Sequence, residues 1–315
     1  MGIRLALMIE GQEGLTWDRW RRLARTAEEG GFESLFRSDH LTGLFGDSRR
    51  PSLDLWASLT WLATATSRIR FGPLVAPLTF HHPALLAKRA AAVAELGNGR
   101  LDLGIGAGWH EGEHRMFGIP FPPLKERVDR LECGARTIRA LWQGKKATLT
   151  QPYYPLVDAE SYPLPPGGRV PLIIGARGER RTLAIAAAHA DEWNITRVTF
   201  DDYAAKRRVL DAHCAAAGRD AGAIARSLMV PVIVGRTGAE LAARHTRARA
   251  IFPRVPEDEV SWRAAGFLYG TPERVVIDLK RWESLGVQRV MLQMLDMEDD
   301  VAIDLLAREV VPACR

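Results

Sequence analysis

Short apolar segments alternate with longer amphipathic ones from Ile3 to Val310, and this alternation limits the fold more than any single motif. Residues 3–9, 32–36, 69–75, 101–105, 170–174, 192–195, 227–234 and 287–294 read as strands. Helical patterns lie between them: after Thr16, over Leu53–Thr66, from Pro83, over Lys125–Trp142, Arg181–Ala190, Asp201–Ala217, Thr237–Phe252 and Thr271–Gly286, with Asp299–Val310 the last. Each connection is long enough for a parallel crossover. About eight such repeats predict a (β/α)8 TIM barrel with insertions, one domain over residues 1–315. A two-domain doubly wound fold is the structural alternative. No Gly/Ser/Pro-rich linker divides the chain in half.

Local signals agree with the alternation. Thr16 and Asp18 precede Trp17, Trp20, Leu23 and Ala27 at helical spacing, which predicts a capped helix ending at Gly30-Gly31. Pro73 and Pro77 mean that the third strand cannot pair regularly through its whole length, so a bulge is expected there. The Tyr- and Pro-rich stretch Gln151–Gly168 reads as an insertion with a hairpin.

Composition removes several function classes. No run of apolar residues is long enough for a membrane span. The first residues, MGIRLALMIEGQ, lack the layout of a signal peptide and read as a first strand, so a cytoplasmic protein is expected. Cys133, Cys214 and Cys314 are far apart and outside any CxxC pair, so reduced structural thiols are expected. The net charge of +5 comes from 43 basic residues dispersed among 38 acidic ones. Such dispersal argues against nucleic acid as a partner but suits an anionic cofactor.

On a barrel, chemistry sits at the carboxyl ends of the strands. Four stretches fall there. Asp39-His40 follows the second strand, and a carboxylate beside an imidazole is a proton-transfer pair near neutral pH. A histidine that merely caps a loop is the competing reading. Leu74-Val75-Ala76 ends the third strand, with His81-His82 just beyond. Adjacent histidines point apart on a strand, and no third ligand is spaced for a metal, so none is expected. The fourth strand runs into RLDLGIGAGWHEGE, whose glycines Gly104, Gly106 and Gly108 let backbone approach a flat ligand while Trp109 walls it. A dinucleotide fingerprint would need glycine at Trp109. Last, Gly175-Ala176-Arg177-Gly178 leads through Arg180 and Arg181 into a helix, where free N–H groups and arginine charge predict a phosphate site.

With these stretches in hand, the chain resembles the bacterial luciferase-like superfamily, and within it the coenzyme F420-dependent oxidoreductase branch. The resemblance rests on FESLFRSDH, the block from Arg68 through His114, IPFPPLKERVDRLEC and PLIIGARGERRTLAIAAAHADEWN. It implies a homodimeric barrel with a deazaflavin in its mouth and a small organic substrate beside it. A bulge with a non-prolyl cis peptide would back the ring at Leu74, Val75 and Ala76. Gly106, Ala107, Gly108 and Trp109 would flank it. Gly175, Ala176, Arg177, Gly178 and Arg181 would hold the phosphate. Asp39 and His40 match the strand-end pair that contacts the ring and substrate in relatives, and His40, held by Asp39, is expected to move the accompanying proton. The relative that oxidises glucose 6-phosphate has Glu where Trp109 stands, which makes that sugar phosphate an unexpected substrate here. An FMN-dependent monooxygenase of the same superfamily and a non-catalytic flavin- or deazaflavin-binding barrel are the other readings.

Overall fold

The computed structural model describes residues 2–315. In chain order the elements are β1 (Arg4–Ile9), α1 (Trp17–Glu29), β2 (Ser34–Arg37), α2 (Leu55–Ala65), β3 (Arg70–Pro73), β4 (Ala76–Pro77), α3 (Pro83–Leu96), β5 (Leu103–Gly106), α4 (Glu111–Met116) and α5 (Leu124–Leu141). A hairpin of β6 (Ala147–Leu149) and β7 (Leu156–Ala159) follows, then β8 (Leu172–Gly175), α6 (Thr182–His189), β9 (Glu192–Thr196) and α7 (Phe200–Ala216). The chain closes with β10 (Ala225–Val234), α8 (Gly238–Ile251), α9 (Glu259–Ala264), β11 (Leu268–Gly270), α10 (Pro272–Ser284), β12 (Arg289–Met294) and a helical run starting with α11 (Asp300–Leu305). The sequence missed α4, α9 and β11, all six residues or fewer and too short for a periodic pattern.

The chain divides into two compact units. One holds the residues through Leu53, Asn194–Val209 and Ala225–Arg315. Its parallel strands run in the order β2, β1, β12, β10, β11. The strands β2 and β12 are buried at every residue, which is why their apolar residues (Leu35-Phe36 and Val290-Met291-Leu292) stand side by side rather than alternating. Helix α1 packs Trp20, Leu23, Ala24 and Ala27 inward, and Thr16 caps it by accepting from Arg19 N at 3.3 Å. Beyond β10, an excursion of α8, α9 and β11 has its own core of Ile233, Ala248, Phe252, Trp262, Tyr269 and Leu295. Phe45, from the loop after β2, packs against it with ring centroids 5.1 Å from those of Phe252.

The other unit holds Asp54–Trp193 and Leu210–Ile224. Here β4, β5 and β8 are parallel neighbours, with Pro77 opposite Gly106 and Ile105 opposite Ile174. The third predicted strand is broken as its prolines required: β3 stops at Pro73, a cis peptide joins Leu74 to Val75, and β4 resumes at Ala76. Arg100 is structural. Its guanidinium donates to the carbonyls of Ala63, Thr66 and Ile69 at 2.7–2.9 Å, closing the carboxyl end of α2 over the start of β5. The hairpin begins earlier than Gln151, and Tyr154 of its turn points its hydroxyl at the Leu78 carbonyl, 3.4 Å away. All three cysteines are buried, and none forms a disulfide. Among the described residues no helix is long and apolar enough to cross a membrane.

Candidate active site

Three of the four sequence-selected stretches meet within one unit. Parallel pairing with Pro77 against Gly106, and Ile105 against Ile174, puts the carboxyl ends of β4, β5 and β8 on one edge. Val75 lies across that edge on a floor without side chains. A Cβ at Gly106 would stand 2.7 Å from Val75 Cγ2, one at Gly104 3.1 Å from its Cγ1, and one at Gly175 3.5 Å from the same methyl. Val75 itself is only partly buried, so an apolar surface is presented to whatever lies above. Leu74 and Ala76 on either side are buried. A short, flat, apolar platform of this kind suits a planar ring, whose face needs van der Waals contact and no hydrogen bonds.

The loop after β5 rises beside the platform. Gly108 has φ +76°, a left-handed conformation that side chains disfavour, and a Cβ there would overlap the Thr79 hydroxyl. Arg127 donates to the Gly108 carbonyl from one nitrogen and to Pro122 O at 3.0 Å from another. Burial lowers the pKa of this guanidinium. Trp109 is 58% exposed, and its ring meets His110 edge-on at 5.0 Å between centroids. His110 caps α4, its Nδ1 accepting from Glu113 N at 3.1 Å. Neither residue of the His81-His82 pair gathers a metal set. His82 instead caps α3, and among the described residues no group of three or more His, Cys, Asp or Glu could hold a metal.

The glycine–arginine loop after β8 is exposed from Arg177 through Arg181, whereas Ala176 is buried. Helix α6 starts at Thr182 without a side-chain cap, and Leu183 N of its first turn donates to Gly178 O at 3.0 Å. The Gly178 N–H is already used, donating to Thr182 Oγ1 at 2.9 Å. Arg181 is also engaged, with Asp129 at 2.6 Å and Glu132 at 3.5 Å on α5. The Arg181 hydrogen bond holds the Asp129 carboxyl below its usual pKa. The sequence did not reveal these two acids as partners, since they lie some fifty residues away in the chain.

Asp39 and His40 belong to the other unit, directly after β2. Asp39 is buried and His40 half-buried. Their backbone is fixed on both sides: Ser38 N donates to Ile9 O at 3.1 Å, and Ser52 Oγ donates to His40 O at 2.9 Å. Beneath them runs a buried polar chain that sequence reasoning missed. Ser38 Oγ donates to Gln12 Oε1 at 2.5 Å, Gln12 Nε2 to Glu10 Oε2 at 2.9 Å, and Gln293 Nε2 to the other oxygen of Glu10. Glu13 accepts from Leu44 N at 2.8 Å and pairs with Arg50 at 2.6 Å, tying down the loop after Asp39-His40. A polar residue closing an apolar strand was the available signal: Glu10 directly follows β1, and Gln293 stands in β12. A cavity of about 510 Å³ also exists in this unit between α8 and α9, and its lining, with His245, Arg249, Asp258 and Tyr269, includes none of the candidate site residues.

Comparison with known proteins decides the family. Residues 4–268 match the family model described as luciferase-like monooxygenase. The chain belongs to that family. It is 36% identical over 160 residues to an F420-dependent glucose-6-phosphate dehydrogenase of Beutenbergia cavernae, covering 50% of this chain and 46% of that enzyme. It is 29% identical over 229 residues to an F420-dependent hydroxymycolic acid dehydrogenase of Mycobacterium tuberculosis, covering 72% of this chain and 62% of that one. Both alignments thus span less than two thirds of the relative. An F420-dependent secondary alcohol dehydrogenase, solved with an F420-acetone adduct, superposes over 100% of both chains with TM-score 0.85 at 20% identity. At that identity the likeness shows the fold, the (β/α)8 barrel expected from the strand–helix alternation.

Proposed function

We propose that this chain is a coenzyme F420-dependent oxidoreductase that exchanges a hydride between the deazaflavin and a small organic substrate. The observation that carries the reading is the Val75 platform over Gly104, Gly106 and Gly175. Its shape fits a planar ring, and a Cβ at Gly106 or Gly104 would push Val75 out of place. The F420-dependent relatives supply the identity of the ring. When bound, the deazaflavin supplies the hydride chemistry, and the protein supplies orientation, water exclusion and a proton.

In this reading Leu74, Val75 and Ala76 support the ring, while Gly106, Ala107, Gly108 and Trp109 flank it. Gly175, Ala176, Arg177 and Gly178 border the phosphate, with Arg177 and Arg181 adding charge. Arg181 is pre-set for this by Asp129. Asp39 and His40 are the proton-transfer pair of this reading, with His40 moving the proton that accompanies the hydride. Trp109 in place of an acid turns the enzyme away from glucose 6-phosphate. The enzyme works as a cytoplasmic homodimer.

Titration of the purified apoprotein with F420 and with FMN, followed by fluorescence quenching, tests the reading. Saturable binding of F420 with far weaker binding of FMN is expected. The family description itself favours one other reading, an FMN-dependent monooxygenase. Tight FMN binding with oxygen-dependent turnover of reduced FMN would establish that reading and sink the first.

A further inference from the structure

Two backbone carbonyls flank Trp109, and a different side chain holds each. Arg127 Nη1 donates to Gly108 O, and its Nε is anchored on Pro122 O at 3.0 Å. His114 Nδ1 lies 2.7 Å from His110 O. A carbonyl can only accept, so Nδ1 carries the proton and Nε2 is the bare nitrogen. That Nε2 is buried and has no hydrogen-bond partner. An unsatisfied buried acceptor is costly, so packing alone would favour an apolar ring here. The imidazole is accounted for by the one bond it makes.

The two donors also touch one another through aromatic rings. The Arg127 guanidinium lies 4.0 Å over the ring of Phe121. Phe121 is 4.7 Å from His114, and His114 is 4.6 Å from Phe80, centroid to centroid. One continuous stack therefore ends on the carbonyls before and after a single residue. Trp109 itself is largely exposed, so little packing fixes it. Thr79 packs directly against Gly108, its hydroxyl lying where a Cβ would stand.

We infer that Arg127 and His114 are positioning residues that clamp the backbone on either side of Trp109 and so fix the wall of the ligand site. Their effect on the cofactor passes through Trp109; this rests on the reading above, in which Trp109 flanks the ring. Mere packing of α4 on α5 is the competing account, and it gives no reason for the donors to converge on one residue.

Arg127→Met and His114→Phe, each made alone and in a Trp109→Ala background, separate the two accounts. F420 affinity is read by fluorescence quenching, and the melting temperature is read beside it. Each single variant should weaken F420 by about 10-fold, the loss of one well-placed hydrogen bond. With Trp109 already removed, the same changes should cost less than about twofold. His114→Phe keeps the stack and removes the orphan nitrogen, so it should melt at the same or a higher temperature while binding more weakly. That opposition of signs is one a purely structural role would not produce. Equal losses in both backgrounds, or a fall in melting temperature with affinity unchanged, would overturn the clamp. If Arg127→Met fails to fold, His114→Phe carries the test. If the wild type itself does not bind F420, the reading fails and the clamp is tested without ligand. The 19F resonance of 5-fluorotryptophan-labelled Trp109, assigned by its absence in Trp109→Phe, should shift or broaden in both variants. An unchanged line would reject the clamp.

Discussion

Gly106 and Val75 share one side-chain space: a Cβ on the glycine would sit 2.7 Å from Cγ2 of the valine. Valine is stiff at χ1 and cannot swing a long tail aside, so Gly106→Ala must move Val75 or the strand beneath it. The expected outcome is a stability loss of about 1–3 kcal/mol, the usual cost of overpacking, and at least about 10-fold weaker F420 binding. The double variant Gly106→Ala/Val75→Ala should recover most of the stability, since it returns the space. Thermal melts and fluorescence titration of the three variants check this, and a fully active, normally stable Gly106→Ala would remove the platform.

Replacing His40 separates proton transfer from binding. With its backbone held by Ser52 and its neighbour Ser38 held by Ile9, His40→Ala should leave the strand end in place. Turnover should fall by about 10²–10⁴-fold, the usual contribution of a general acid or base. F420 affinity should change less than about twofold. Normal turnover with normal cofactor binding would take the proton-transfer role away from His40.

The strands and the glycine clusters were legible because each depends on local chemistry. Continuous apolar runs such as IRLALMI mark buried parallel strands, and Pro73 with Pro77 announced the break that the Leu74–Val75 cis peptide fills. The resemblance to the superfamily located that peptide; the prolines alone showed only irregularity. What could not be read were pairings across long stretches of chain. Asp129 and Glu132 on α5 meet Arg181 only once α5 packs near α6, and Gln293 reaches Glu10 only when β12 pairs with β1. Short elements such as α9 were hidden for another reason: six residues cannot show a helical period.

Arg181 tests the anion end of the site. Asp129 and Glu132 already neutralise it in part, so its value to a phosphate is smaller than that of an unpaired arginine. Arg181→Gln should weaken F420 by about 10-fold at low ionic strength, and the deficit should shrink as salt screens the site. Asp129→Asn should act oppositely and tighten F420 a few-fold. Titrations at two salt concentrations read both effects, and an Arg181→Gln protein that binds like the wild type at low salt would dismiss the arginine from the phosphate site.

His189 gives the fold a pH dependence of known sign. Burial, and then the charge of Arg136, lower its pKa from the ordinary value of 6.5. The unfolded chain therefore takes up the proton first as pH falls. Stability carried by the neutral ring is whole above pH 6.5 and is lost as pH drops below that and passes through the folded value. His189→Asn should flatten the melting-temperature profile between about pH 7 and pH 5 relative to the wild type. Identical profiles for the two proteins would show that the ring does not carry the effect.

Gln12 is the joint of the buried polar chain under Asp39-His40. It is 0% exposed, takes the Ser38 hydroxyl at 2.5 Å and gives its amide to Glu10 at 2.9 Å. Leucine at this position has nearly the same volume, so packing changes little, but each neighbour loses one of its partners. A buried carboxylate short of a donor is the costlier of the two losses, because a charge keeps its full need for hydrogen bonds out of water. Gln12→Leu should therefore destabilise by about 2–4 kcal/mol. Ser38 also accepts from Gly11 N at 3.0 Å, so freeing it should loosen the turn that carries Asp39. Turnover should then fall more than F420 affinity, the opposite order to that expected of Gly106→Ala. Chemical denaturation gives the first quantity, and kcat with the F420 Kd gives the second. A Gln12→Leu protein as stable as the wild type would mean that water or another donor satisfies Glu10, and the polar chain would then have no part in holding the site.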